Sequence, residues 1–213
     1  MLSIALSLLM APKADVVVLE STSLGTIKNK ITITRTMRPD GGLTWLERTD
    51  MDKDTYWLDS REVQPDGSHV LHSIKWFAPK EDHEWQTFPS DDSIQAVTIK
   101  YRGKDVGTSE YFELTPLEAG DPSLLWWVSK TPKIGDIANG CLYIPLNGMK
   151  RLNVTYKGDE KIKVKGKEVT THKIVRAMDV RNETWWLNDK GLPVQRAIWS
   201  KDENEPHRVD VLK

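Results

Sequence analysis

Gly25-Thr26-Ile27-Lys28-Asn29-Lys30-Ile31-Thr32-Ile33-Thr34-Arg35-Thr36-Met37 runs through Arg38-Pro39-Asp40-Gly41-Gly42 into Leu43-Thr44-Trp45-Leu46-Glu47-Arg48-Thr49-Asp50. Ile27, Ile31, Ile33 and Met37 fall on odd positions, with Lys28, Lys30, Thr32 and Thr34 between them. A period of two places alternate side chains on opposite faces, so this is a half-buried strand. Proline fixes φ and the two glycines tolerate positive φ, so Pro39 to Gly42 turns the chain. Leu43 to Asp50 returns as the partner strand and carries Trp45.

The same grammar continues on both sides. Asp15 to Glu20 is a short β-branched run. Asp54 to Val63, His69 to Phe77, Ile94 to Ile99 and Val106 to Leu114 read as further strands, separated by turns at Gln64-Pro65-Asp66-Gly67-Ser68 and Gly103. After residue 140 the candidates are Cys141 to Ile144, Arg151 to Tyr156, Lys161 to Val164, Glu168 to Asp179, Glu183 to Leu187, Val194 to Ser200 and Arg208 to Leu212. No helices alternate with these strands, which excludes α/β architecture. One segment differs. Asp121-Pro122-Ser123-Leu124-Leu125-Trp126-Trp127-Val128 has an acidic N-cap, proline at the first helical position, and Leu124, Trp127 and Val128 on one face. The expected fold is all-β, a curved antiparallel sheet or open barrel with one short helix.

The chain has 213 residues, enough for a core without disulfides or metals. Residues 15–213 read as a single antiparallel β domain. Residues 1–14, opening MLSIALSLLM, read as a signal segment or a disordered N-terminus, and are too short to span a membrane. Export to the periplasm or cell surface is the expected location, with the cytoplasm as the alternative. Thirty Lys and Arg against 31 Asp and Glu give no electrostatic case for nucleic acid as a partner. The basic bias from Lys150 to Lys173 reads as a solvated strand face with charged edge protection, or as a docking surface for an anionic partner. A single cysteine, Cys141, excludes an internal disulfide and reads as a small buried hydrophobe.

From Pro132 onward the chain carries Pro-Lys-Ile-Gly-Asp (132–136), then strands around Gly158 and Gly166, then Trp185-Trp186-Leu187-Asn188-Asp189-Lys190-Gly191-Leu192-Pro193-Val194. This stretch resembles a broad group of uncharacterised bacterial exported β proteins, distantly similar to the periplasmic lipoprotein carriers. The resemblance implies a curved antiparallel sheet, with Gly135, Asp136, Trp186, Gly191 and Pro193 as turn and packing residues. It implies no activity. The carrier comparison also implies a longer helix plugging the sheet, where this chain offers only the segment near Trp126.

The residues that carry chemistry are dispersed. No nucleophile elbow, phosphate loop, dinucleotide fingerprint or zinc-protease motif occurs, so no catalytic residue, metal ligand or cofactor is assigned. His69 and His72 would point to opposite faces of one strand. Histidines and carboxylates could still gather in three dimensions, as a zinc or copper site or as an acid–base pair. Asp50, Asp52 and Asp54 match the opening of a calcium loop, but Thr55 and Arg61 replace the glycine and glutamate that must follow, leaving an acidic turn or a weak calcium site.

The nine tryptophans carry the most information. Each can bury about 150–250 Å² and brings an N–H that needs an acceptor. They are read as core, as the wall of a cavity or sugar platform, or as an oligomer interface. Thr55-Tyr56-Trp57-Leu58-Asp59 and Thr184-Trp185-Trp186-Leu187-Asn188 echo one another, as two similar hairpins or as a weak pseudo-repeat. Trp57, Trp126 and Trp186 are the candidate ligand-binding residues, for an apolar small molecule or lipid; oligomeric state is left open. Three functions follow: an exported binding or carrier-like protein for an apolar or amphipathic ligand, a structural envelope protein without a ligand, and a small-substrate hydrolase or lyase.

Overall fold

A computed structural model describes residues 14–129 and 132–213. Of residues 1–14, read as a signal segment or a disordered N-terminus, residues 1–13 lie outside the described residues and Ala14 opens β1. Eight strands come first: β1 (Ala14–Ser23), β2 (Ile27–Met37), β3 (Leu43–Asp50), β4 (Tyr56–Val63), β5 (His69–Ala78), β6 (Glu81–Ser90), β7 (Ser93–Tyr101) and β8 (Lys104–Phe112). A crossover, residues 113–136, holds a 3₁₀ turn (Pro122–Leu125) and α1 (Trp126–Ser129). Six strands follow: β9 (Ile137–Ile144), β10 (Gly148–Val164), β11 (Lys167–Met178), β12 (Arg181–Leu187), β13 (Pro193–Ser200) and β14 (Arg208–Leu212). All fourteen form one antiparallel sheet in the order β8-β7-β6-β5-β4-β3-β2-β1-β14-β13-β12-β11-β10-β9. The expected all-β, curved open sheet with one short helix is the observed fold.

Two meanders thus join at the middle of the sheet, where β1 pairs with β14 from Leu19↔Leu212 to Ser23↔Arg208. The free edges are β8 and β9. The sheet curls until these edges approach, and there side chains replace the ladder. Phe112 on β8 packs edge-on against Tyr143 on β9, with ring centroids 6.3 Å apart. The crossover straps the gap: the Gly120 amide donates to the Cys141 carbonyl of β9 at 2.7 Å, and the His69 amide of β5 donates to the Pro116 carbonyl at 2.6 Å. A Cβ on Gly140 would lie 2.3 Å from the Gly120 carbonyl oxygen, so only glycine admits the strap this close.

The concave face holds the core. Leu19, Ile31, Ile33, Leu43, Trp45 and Val63 from the first meander meet Val154, Tyr156, Ile174, Trp185 and Leu187 from the second. Leu124 and Leu125 of the 3₁₀ turn plug the space between them. A smaller cluster of Ile74, Trp85, Ala96 and Tyr143 lies near the free edges. Lys157, Lys161 and Lys163 of the basic stretch are exposed on β10.

Several local expectations change. β6 is a strand that the sequence hid, because Glu81, Asp82 and Glu84 crowd its start and Pro89 its end, masking the inward set His83, Trp85 and Thr87. The two strand candidates around Gly158 are one strand, β10, with a bulge between Tyr156 and Gly158. His69 and His72 do not point to opposite faces. A register shift between β4 and β5, from Glu62↔Leu71 to Val63↔His69, inserts an extra residue and turns both inward, each 4% exposed.

The echoed pentapeptides differ in phase: Trp57 faces inward, whereas its positional match Trp186 faces outward and Trp185 takes the buried place. The resemblance residues act as turn and packing residues. Gly135 and Asp136 pin the crossover to β10 through bonds with Tyr156, and Gly191 at φ +74° packs against Trp127. Pro193 opens β13.

Candidate functional site

The inward phase of β4 reads Trp57, Asp59, Arg61, Val63, so charged side chains occupy a position set that should hold core. The same happens with Glu47 on β3, Arg176 on β11, Glu183 on β12, Arg196 on β13 and Asp210 on β14. Together they form a charged layer across the lumen, above the apolar core.

Three features define this layer. First, Asp121 reaches in from the crossover with its carboxylate fully buried; Arg176 donates to it at 2.7 Å and Arg61 at 3.4 Å. It was expected to cap the helix, yet it makes no side-chain cap bond. Two buried guanidiniums outcompete a single cap. Second, Arg196 donates to both Glu47 oxygens at 2.7 and 2.8 Å and through Nε to Asp210 at 2.9 Å. These bonds tie the second meander to the first. Third, Arg176 and Arg196 both lie over the Trp185 ring, their guanidinium carbons 4.2 and 5.2 Å from its centre. The indole N–H donates to Glu183 at 2.8 Å.

The neighbours set the ionisation. Burial pushes the Glu183 carboxyl up, but Arg181, Arg176 and Arg196 outweigh it and bring it down to about 2. Asp59 is held ionised, well below the usual carboxylate range, because Arg61 and His72 overcome its burial. His72 Nε2 lies 3.1 Å from an Asp59 oxygen.

Outside the charged layer the lumen opens into a cavity of about 330 Å³. Its apolar lining includes Met51, Trp57, Ile74, Tyr143, Met178 and Ile198; its polar lining comes from the charged layer, with the more exposed Arg181 and Arg208. That volume lies at the lower end of the roughly 300–1,000 Å³ of small-molecule sites. The expected cavity was apolar; this one is lined by apolar and ionic side chains together.

The three candidate tryptophans are not brought together. Trp57 lines the cavity. Trp126 packs on the main core, 6.1 Å from Trp127. Trp186 lies on the outer face, donating to Glu160 at 2.9 Å beneath Lys173. The Asp50–Asp54 stretch closes on itself: Asp52 accepts from the amides of Asp54 and Thr55, an acidic turn. Among the described residues no group of His, Cys, Asp and Glu has metal-holding geometry. Reasoning from sequence missed Arg61, Asp121, Arg176 and Arg196. For Arg61 a signal existed, since it shares its strand phase with Trp57 and Val63.

No family profile and no curated protein sequence matches the chain. Among solved structures it is similar to the β-barrel-like protein of a domain of unknown function, DUF1849, from Brucella abortus. The TM-score is 0.62 at 9% identity, over 95% of this chain and 96% of that one. This likeness shows the fold alone. It agrees with the resemblance to uncharacterised bacterial β proteins and contains nothing specific to lipoprotein carriers.

Proposed function

We propose that the chain is an exported binding protein that holds an amphipathic small molecule in the lumen of its curved sheet. The observation that carries this reading is the cavity itself, lined both by Trp57 and aliphatic side chains and by a preformed buried ion network. An amphipath satisfies both kinds of lining at once, whereas a wholly apolar molecule would cover the ionic groups without pairing them. Of the three candidate tryptophans, Trp57 is the one that contacts the bound molecule. Among the described residues no helix is long and apolar enough to cross a membrane, and export rests on the apolar segment at residues 1–10.

The hydrolase reading has one observation in its favour, the His72–Asp59 pair beside the cavity. It lacks a nucleophile: among the described residues no hydroxyl or thiol is hydrogen-bonded to His72. The test of binding is native mass spectrometry of freshly purified protein, with tryptophan fluorescence read during titration with alkyl amphiphiles. A retained mass that Trp57→Ala abolishes is the expected result. If no ligand is retained and fluorescence ignores every amphiphile, the lumen is structural.

A further inference from the structure

The charges at the cavity wall are unevenly placed. Arg61, Arg176, Arg181, Arg196 and Arg208 line it, against the carboxylates Glu47, Asp59 and Glu183. The remaining carboxylates of the network, Asp121 and Asp210, are both 0% exposed and stand behind the arginines. A molecule in the lumen therefore faces more cationic than anionic groups, although the network as a whole pairs five arginines with five acids.

The arginines also differ in what they have left to give. Arg196 spends Nε and both terminal nitrogens on Asp210 and Glu47. Arg208 uses Nε and one terminal nitrogen on Asp210. Arg181 places Nε 2.7 Å from Glu183, and its terminal nitrogens have no partner among the described residues. Arg181 and Arg208 stand on the strands either side of β13, with side chains 40% and 25% exposed, while Arg176 deeper in is 1% exposed. Two forks with spare donors thus stand at the mouth beside Met178 and Ile198.

Building on the lumenal reading above, we infer that the bound amphipath ends in an anionic oxygen group, a carboxylate or a phosphate, held by Arg181 and Arg208. Its apolar part lies along Trp57, Ile74, Met178 and Ile198. A guanidinium presents paired N–H groups in a plane that matches either anion. The partly enclosed site strengthens the attraction relative to open water. Arg181 can turn toward a ligand without stranding Glu183, which stays paired with Arg176 at 3.2 Å.

The test compares octanoate, octyl phosphate and octanol on the intact protein by calorimetry. At least one anion should bind about tenfold or more tightly than octanol, the scale of one charge-assisted hydrogen bond. The tighter of the two anions identifies the head group. Arg181→Gln should cost the anion about tenfold and leave octanol unchanged. Arg208→Gln is the second variant, because Asp210 keeps Arg196. Equal binding of octanol and both anions overturns the anionic head group and leaves the lumenal reading standing. An undiminished anion preference in both folded variants overturns the assignment to these arginines. Binding of none of the three overturns this inference together with the reading it rests on.

Discussion

Asp121 anchors two buried guanidiniums from opposite meanders, Arg61 on β4 and Arg176 on β11. Asp121→Asn keeps the shape and removes the charge. It should lower the stability of the fold by about 3–5 kcal/mol, read from urea unfolding, because uncompensated buried cations remain. His69 sets a different kind of dependence. Burial holds its imidazole down to about 4 from an ordinary value near 6.5, and its Nε2 lies 3.0 Å from the Thr87 carbonyl. Folding thus favours the neutral ring. The stability it contributes is complete above pH 6.5 and is lost as pH falls toward 4.

Glu183 extends the same trend. Its folded value of about 2 lies below the ordinary 4.5, so its contribution is complete above pH 4.5 and is lost toward pH 2. Unfolding midpoints measured against pH should therefore fall continuously from near neutrality into acid. His69→Gln should flatten the upper part of the curve and leave the lower part in place. Neither residue's role was legible. Asp121 reads as an acidic N-cap followed by proline, and what displaced that role was contact with strands about 60 and 55 residues away.

At the scale of elements, legibility followed alternation. β2 and β3 announce themselves because their inward and outward sets differ in polarity throughout. β6 did not, since its outward Glu84 and Gln86 adjoin an inward His83 and Thr87, and polarity no longer reports direction. The charged layer obscured the site for the same reason: Arg61 and Glu183 look like solvent positions and are core positions. The crossover offers a test of how an element is held. Gly140→Ala would drive a methyl group against the Gly120 carbonyl, opening the Gly120–Cys141 bridge and the strap over the gap. It should cost about 1–3 kcal/mol, the scale of an overpacking change, and make residues 113–136 newly sensitive to limited proteolysis. Gly191→Ala meets Trp127 at 2.8 Å and a backbone at φ +74°, and should loosen α1 in the same way.

For the whole molecule, the decisive contacts are the most distant ones. β1 and β14 pair across nearly the full length of the chain, and Arg196 on β13 grips Glu47 on β3 beside that seam. A double-mutant cycle with Arg196→Met and Glu47→Leu should give a coupling energy of about 1 kcal/mol or more. The double variant should be less damaged than either single one, since no buried charge on this pair is left alone. No local pattern encodes such pairings, which is why most strands and the hairpins of the first half were legible while the joining of β1 to β14 and the lumen were not.

The gap between β8 and β9 gives the lumen a property that a closed barrel lacks. Fourteen strands joined all round by hydrogen bonds have a circumference fixed by strand count and stagger. Here the ring is left unlaced at one place, where Phe112 leans on Tyr143 and a glycine-dependent strap crosses the opening. Its girth is therefore an adjustable quantity, set by the bulk of a few side chains. Exchanging those side chains should re-size the lumen without giving up a single rung of the sheet.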